Sequence, residues 1–295
     1  MSRLEKLAAR RTVSKNPTDF SSQELMESYN NLKKSDGIKY AIGAMQPISA
    51  EYTKNTFKQG DRVKSQLSDN GLSSHEFEYQ GSVTNNTHIK ALSDIDLLVI
   101  TPRFVRLETP QQPSSPFDGN PSQVMRELRS NIENQLVTSF PAAKVDKSGS
   151  KSVTIEGGSL TRKVDVVPAN WFNSNEYIRR NHEKIYRGIQ VFDKNNASFI
   201  TNFPFIHNLA IEQKDNKVNG GLRRAIRLMK SLMYDNSLNI SSYDISGIAY
   251  NIPDGELSYG PPFELRIISS CIDYCQALET NSFLRNSIKV PNGTR

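Results

Sequence analysis

The segment Asp94-Ile95-Asp96, followed by Leu97-Leu98-Val99-Ile100, constrains this chain more than any other. A short apolar run opened by acids predicts a strand from Asp94 to Thr101 that is buried on both faces, as the central strands of covered sheets are. Side chains alternate along a strand, so Asp94 and Asp96 share a face and their carboxylates converge. Two carboxylates at the end of a buried strand repel each other. A hard divalent cation, which prefers oxygen ligands, relieves that repulsion.

The flanking segments supply the rest of a sheet and its cover. His75–Gln80 alternates, with Phe77 and Tyr79 on one side, and reads as a strand. Two more strands are expected around Lys151–Glu156 and Ser159–Val167. Ser122–Thr138 sets Val124, Leu128, Ile132 and Leu136 at helical spacing. Ser49 is a candidate N-cap for a helix reaching about Leu67. Its mixture of Tyr52, Phe57 and Val63 with polar residues suits a surface-crossing brace between lobes. A helix is also expected over 22–34, with Leu25, Tyr29 and Leu32 on one face. Pro102, Pro110, Pro113, Pro116 and Pro121 predict an irregular loop from Thr101 to Pro121. From about Trp171 the pattern turns helical, with a break at Gly220-Gly221 and helices over Leu222–Tyr234, Ser242–Tyr250 and Phe263–Leu278. The expected division is a mixed α/β lobe over 1–170 and an α-helical lobe over 171–295. Ser287–Arg295 reads as the start of a strand and a turn, so a further segment is expected beyond it.

At 295 residues, 36% hydrophobic and 23% charged, the chain can bury a sizeable core and is globular rather than disordered. No run of 18 apolar residues predicts a membrane span, and Met1–Arg11 is basic without the apolar core of a secretory signal. Cys271 and Cys275 lie one helical turn apart with no second Cys or His pair, so they read as buried thiols rather than zinc ligands. This cysteine usage suits a reducing, cytoplasmic setting. Lys and Arg number 37 against 31 Asp and Glu, a net charge of +6 that suits a polyanionic substrate such as a nucleoside triphosphate.

Two further motifs flank the paired acids. The strand of Tyr79-Gln80 ends at Gly81-Ser82, where a missing Cβ lets backbone approach a phosphate and Ser82 offers a hydroxyl and an N–H. Lys163-Val164-Asp165-Val166-Val167 sets a third acid in an apolar strand. Asp94, Asp96 and Asp165 together form a candidate two-ion site for Mg²⁺ or Mn²⁺, with Asp165 the natural general base. Thr84, Asn85, Asn86, Thr87 and His88 lie between Ser82 and the acids and are candidates for phosphate or acceptor contact. His88 has no evident partner to make it a base, Gln80 reads as holding a strand end, and His207 reads as structural. On a helical wheel, Leu222, Ile226, Met229 and Met233 form an apolar stripe beside an arc of Arg223, Arg227 and Lys230. For Arg223 and Arg224 a solvated basic face is an equal reading.

Gly81-Ser82, Asp94-Ile95-Asp96 and Asp165 in this order resemble the DNA polymerase β-like nucleotidyltransferase superfamily. Gly220-Gly221-Leu222-Arg223-Arg224, Arg227-Leu228-Met229-Lys230 and Ser241-Ser242-Tyr243 resemble the helical lobe of the cyclic-GMP-AMP-synthase and oligoadenylate-synthase relatives. The bacterial branch of these is the CD-NTases of CBASS anti-phage defence. The resemblance spans about Ile38 to Arg295. It implies a bilobal α/β (α+β) fold, a polymerase β-like core with a mixed sheet plus a C-terminal α-helical lobe. It implies an enzyme that joins nucleoside triphosphates (ATP, with GTP or UTP also candidates) into a cyclic or linear oligonucleotide messenger and releases pyrophosphate. It sets Lys230 and Ser242 on the triphosphate and Tyr243 against a base. No Cys/His cluster resembles the zinc thumb of the animal DNA sensor, so no DNA requirement is expected, and the resemblance leaves an enzyme either basally active or switched by a regulatory protein partner. The competing expectations are a nucleotidyltransferase acting on RNA, protein or an antibiotic, and an inactive nucleotide-binding module.

Overall fold

The computed structural model describes residues 2–12, 34–90, 94–260 and 263–293, so the helix expected over 22–34 lies, but for Lys34, outside the described residues. The strands are β1 (Glu76–Gln80), β2 (Ile95–Leu107), β3 (Lys144–Asp146), β4 (Val153–Glu156), β5 (Val164–Asn173), β6 (Gly188–Asp193) and β7 (Ser198–Asn202). The helices are α1 (Arg3–Thr12), α2 (Asp36–Met45), α3 (Ala50–Leu67), α4 (Pro121–Ser139), α5 (Asn175–Arg179), α6 (Pro204–Lys217), α7 (Gly221–Asp235), α8 (Ser242–Asn251), α9 (Asp254–Leu257), α10 (Arg266–Thr280) and α11 (Ser282–Ser287). They fall into two compact units. One comprises Met1–Ile48, Asn85–Ser93 and His207–Arg295; the other comprises Ser49–Thr84 and Asp94–Ile206. The division expected after residue 170 falls inside β5.

The second unit is built on one mixed sheet of order β1-β2-β5-β4-β3, with β6 also joined to β5 and β7 to β6. β2 and β5 run parallel, and every other pair is antiparallel. β4 pairs with the first half of β5 (Val164–Val166) and β6 with the second half (Ala169–Phe172). The apolar run of β2 is buried on both faces. Ile95, Leu97 and Val99 pack with Val164 and Val166 and with Val63, Leu67, Leu128 and Ile132 of α3 and α4. Leu98 and Ile100 pack on the other face with Val167, Ala169 and Trp171. Both covering helices are capped, α3 by the expected Ser49 and α4 by Asn120. Ser49 Oγ accepts from the Tyr52 amide at 3.2 Å, and Asn120 Oδ1 accepts from Gln123 at 3.2 Å with Pro121 at the first helical position. α3 packs against α4, β2 and β5.

Three expectations are corrected here. β2 does not stop at Thr101 but runs through Pro102 to Leu107. The β2–β5 register shifts between Thr101 and Val105, which accommodates a residue without an N–H, and buried Phe104 anchors the extension. β5 starts at Val164 rather than Ser159 and continues to Asn173; β3 is an additional strand. The chain therefore does not turn helical at Trp171, which is buried in β5 and followed by β6 and β7. β6 is buried at every position, so its sequence shows no alternation to read.

The first unit is helical. Leu222, Ile226, Met229 and Met233 of α7 form the expected apolar stripe, joined by Ala225. They pack with Leu4, Leu7, Tyr40, Ala44, Ile245 and Ile267. A Cβ on Gly221 would stand 1.8 Å from the Leu257 carbonyl oxygen, so only glycine lets α7 start flush against α9. Cys271 is buried, and burial pushes its thiol up to about 12; Cys275 is exposed, against expectation. After α11 the described chain closes in a turn near residues 291–293 rather than a strand. Among the described residues no helix is long and apolar enough to cross a membrane.

Candidate active site

The acids stand at the N-terminal ends of the central parallel pair. Asp96 and Asp165 are register partners across β2 and β5, on the face that carries Leu98 and Val167. Partners in a parallel ladder project to the same side, so their carboxylates face the same space. Gln80, at the end of β1, is the register partner of Asp96 on its other flank, and Asn202 Nδ2 reaches its Oε1 at 3.5 Å. The chain then turns at Gly81, whose φ is +84°. A Cβ at that glycine would stand 2.1 Å from Asp96 Oδ2. The absent side chain is thus the space that the Asp96 carboxylate fills. Ser82 is half-buried in the same turn, which Thr84 ties by donating Oγ1 to the Gly81 carbonyl at 2.7 Å.

Asp94 precedes β2 and behaves differently from its partners. Its Oδ2 accepts from Lys163 Nζ at 2.7 Å, and the same ammonium lies 4.0 Å from Asp165 Oδ1. Desolvation raises the Asp94 pKa, opposed by Lys163 and reinforced by the nearby negative charges of Asp165 and Glu156. Burial lowers the Lys163 pKa, but its bond to Asp94 and the field of the surrounding carboxylates outweigh this and raise it. Thr154, the β4 partner of Asp165, donates Oγ1 to Asp165 Oδ1 at 2.5 Å. Lys163 and Thr154 were not assigned roles from sequence. For Lys163 the signal was present, since residues 163 and 165 are two apart and share a strand face.

The donor set suits a hard divalent cation, because it is all oxygen and Asp96 and Asp165 face one space cleared by Gly81. Asp94 is turned toward Lys163. Among the described residues no three His, Cys, Asp or Glu side chains gather as a metal cluster in this structure.

The helical unit holds the other expected residues. Lys230 is 3% exposed and donates Nζ to the Thr87 carbonyl at 3.1 Å. Arg223 Nε and Arg227 Nη1 donate to the carbonyls of Asn85 and Asn86, both at 2.8 Å. One face of α7 thus engages three successive carbonyls, and Arg227 and Lys230 are buried rather than solvated. Asn85, Thr87 and His88 are also buried. Thr87 Oγ1 donates to Asn85 Oδ1 at 2.6 Å. Ser242 is exposed at the first turn of α8, which Ser241 caps by accepting from the Asp244 amide at 3.0 Å. The Tyr243 ring stacks on His207, with centroids 5.3 Å apart and planes 18° apart, and its hydroxyl donates to Asn292 Oδ1 at 2.8 Å.

A mixed sheet whose parallel centre carries facing acids beside a Gly-Ser turn, together with a helical unit bearing a buried lysine, defines a nucleotidyltransferase. The sequence matches no family model. It is 37% identical over 278 residues to the cyclic dinucleotide synthase CdnE of Yersinia aleksiciae, covering 92% of this chain and 73% of that protein. It is 35% identical to a c-di-GMP synthase of a Lachnospiraceae bacterium, covering 88% of this chain and 80% of that one. Its fold is similar to the solved STING-associated CdnE c-di-GMP synthase of Capnocytophaga granulosa, with a TM-score of 0.77, 29% identity and coverage of 100% of this chain and 90% of that one. The chain belongs to the CdnE family of cyclic dinucleotide synthases, within the CD-NTases of CBASS defence.

Proposed function

We propose that this nucleotidyltransferase joins two nucleoside triphosphates into a cyclic dinucleotide, with Asp96 and Asp165 as the metal-binding acids and Asp94 joining them once released from Lys163. The observation that carries this reading is the facing of Asp96 and Asp165 across the parallel pair, with Gly81 clearing space for the Asp96 carboxylate. Mg²⁺, or Mn²⁺, held by these acids would neutralise charge on the triphosphate and on the leaving pyrophosphate. Gly81 and Ser82 bind phosphate oxygens through backbone N–H and hydroxyl. Thr154 holds Asp165 by one oxygen, and the other accepts the proton of the attacking hydroxyl. The hydroxyl oxygen bonds to the α-phosphorus of the second nucleotide, and the bond to pyrophosphate breaks. A second such step closes the ring. Lys230, once it leaves the Thr87 carbonyl, and Ser242 serve as phosphate ligands and Tyr243 as a base platform. Relatives named as c-di-GMP synthases, at 35% and 31% identity, support GTP as the substrate.

Mass spectrometry of products from GTP alone and from a four-nucleotide mixture, with Mg²⁺ or Mn²⁺, tests the reading. The expected outcome is a phosphatase-resistant cyclic dinucleotide that Asp96→Asn and Asp165→Asn each reduce by at least a hundredfold. Undiminished product from the double variant would remove the acids from the site. Transfer of label to RNA or protein, with no small product, would overturn the reaction itself.

A further inference from the structure

Within the helical unit, Arg223, Arg224 and Arg227 of α7 line a cavity of about 390 Å³, together with Met45, Asp215 and Glu264. Arg227 is 4% exposed and gives Nε to the Met45 carbonyl at 2.9 Å and Nη1 to that of Asn86. Arg223 gives Nε to the Asn85 carbonyl and Nη1 to Asp215 Oδ2 at 2.9 Å. Arg224 gives Nη1 to the carbonyls of Asn219 at 3.1 Å and Tyr259 at 3.3 Å. A guanidinium carries five N–H donors in a rigid fork. Among the described residues the Nη2 group of each of these arginines meets no acceptor.

The acids at the cavity do not balance this charge. Both oxygens of Asp215 are taken by Arg223, through its backbone amide and its Nη1. Glu264 Oε2 is buried without a hydrogen-bond partner. Burial lowers the Arg227 pKa to about 10; Asp215 opposes this, while Arg11, Arg223 and Arg224 lower it further. Arg227 is buried and Arg223 and Arg224 are half-buried, and clustered cations partly withdrawn from water are stabilised by a counter-charge with hydrogen-bond acceptors. The α7 N-terminus at Gly220, on the cavity wall, adds its dipole.

We infer that this cavity is a second anion site, taking a small phosphorylated ligand whose phosphate oxygens accept from Arg224 and Arg227 and which offers a donor to Glu264. It shares no residue with the acids, the Gly-Ser turn or Lys230, Ser242 and Tyr243. Its volume is at the low end of small-molecule pockets and suits pyrophosphate or a mononucleotide. Phosphate is the chemistry common to both sources, and only the mononucleotide brings base N–H donors.

Isothermal titration of the full chain without divalent cation, with pyrophosphate in one arm and GMP in the other, tests the site. Binding is expected in at least one arm. It should weaken at least tenfold in Arg224→Ala and remain unchanged in Ser82→Ala and Asp165→Asn. Arg224 donates only to two carbonyls, so its removal should leave the melting temperature near wild type. Arg227→Lys, which keeps the charge and loses the fork, is the second variant and should also weaken binding. Glu264→Gln separates the sources, weakening GMP but not pyrophosphate. The site is overturned if neither probe binds wild type, if binding survives both arginine variants, or if Ser82→Ala abolishes it.

Discussion

Gly81 and Asp96 occupy what would be the same volume if residue 81 had a side chain. Gly81→Ala therefore forces the Asp96 carboxylate aside and sets alanine at a φ of +84°, which costs roughly 1 kcal/mol. The variant should fold with a slightly lower melting temperature yet lose at least a hundredfold in product formation. Activity within threefold of wild type would show that the Asp96 position is not critical. His207 gives a prediction in pH. Burial holds its imidazole at about 4, below the ordinary 6.5. Between those values the unfolded chain binds the extra proton and the folded chain does not, so stability falls as pH drops from about 6.5 to about 4. The full effect is about 3 kcal/mol. His207→Phe should lose less stability across that window in thermal melts, and an equal loss would remove His207 as the cause. At this scale the acids were legible because alternation and apolar flanks reveal a strand. The turning of Asp94 to Lys163 was not, because it depends on β5 lying beside β2 in register, and nothing local encodes which strands are neighbours.

At the scale of elements, helices with caps and stripes were read to within a few residues, as α3, α4 and α7 illustrate. The sheet beyond Trp171 was missed because β6 is buried throughout, and the extension of β2 because it passes a proline by shifting register. Arg129 of α4 shows how a helix can secure a loop that lacks secondary structure. It is 4% exposed, bonds Glu133 at 2.8 Å, and gives Nη2 to the carbonyls of Gly149 at 2.7 Å and Ser152 at 3.0 Å. Arg129→Met should destabilise the protein by about 2 kcal/mol, since it removes the buried guanidinium that pairs with Glu133 and holds the loop carbonyls. Urea unfolding measures this, and a loss below about 1 kcal/mol would mean that water replaces the guanidinium.

At the scale of the whole molecule, the sequence suggested two consecutive lobes, whereas the helical unit is assembled from three separated stretches of chain. Tyr40, Ala41, Ala44 and Met45 of α2 are buried in one cluster with residues of α7, α8 and α10, and α2 packs directly on α7. A fragment ending at residue 206 lacks those partners and should associate through the apolar face of α2, even though it retains every strand of the sheet. Light scattering of the fragment beside the full chain checks this; a monodisperse monomer would count against it. Contact between distant segments is a property that periodicity within either segment does not carry.

That assembly has a consequence in time. α2 ends at Met45 and α7 begins at Gly221, so the ribosome makes one partner long before the other. At about 5–20 residues per second, α2 waits roughly 10–35 s for the helix that covers it. Throughout that interval the sheet residues are emerging and can fold, while α2 still presents an apolar surface to whatever surrounds the nascent protein.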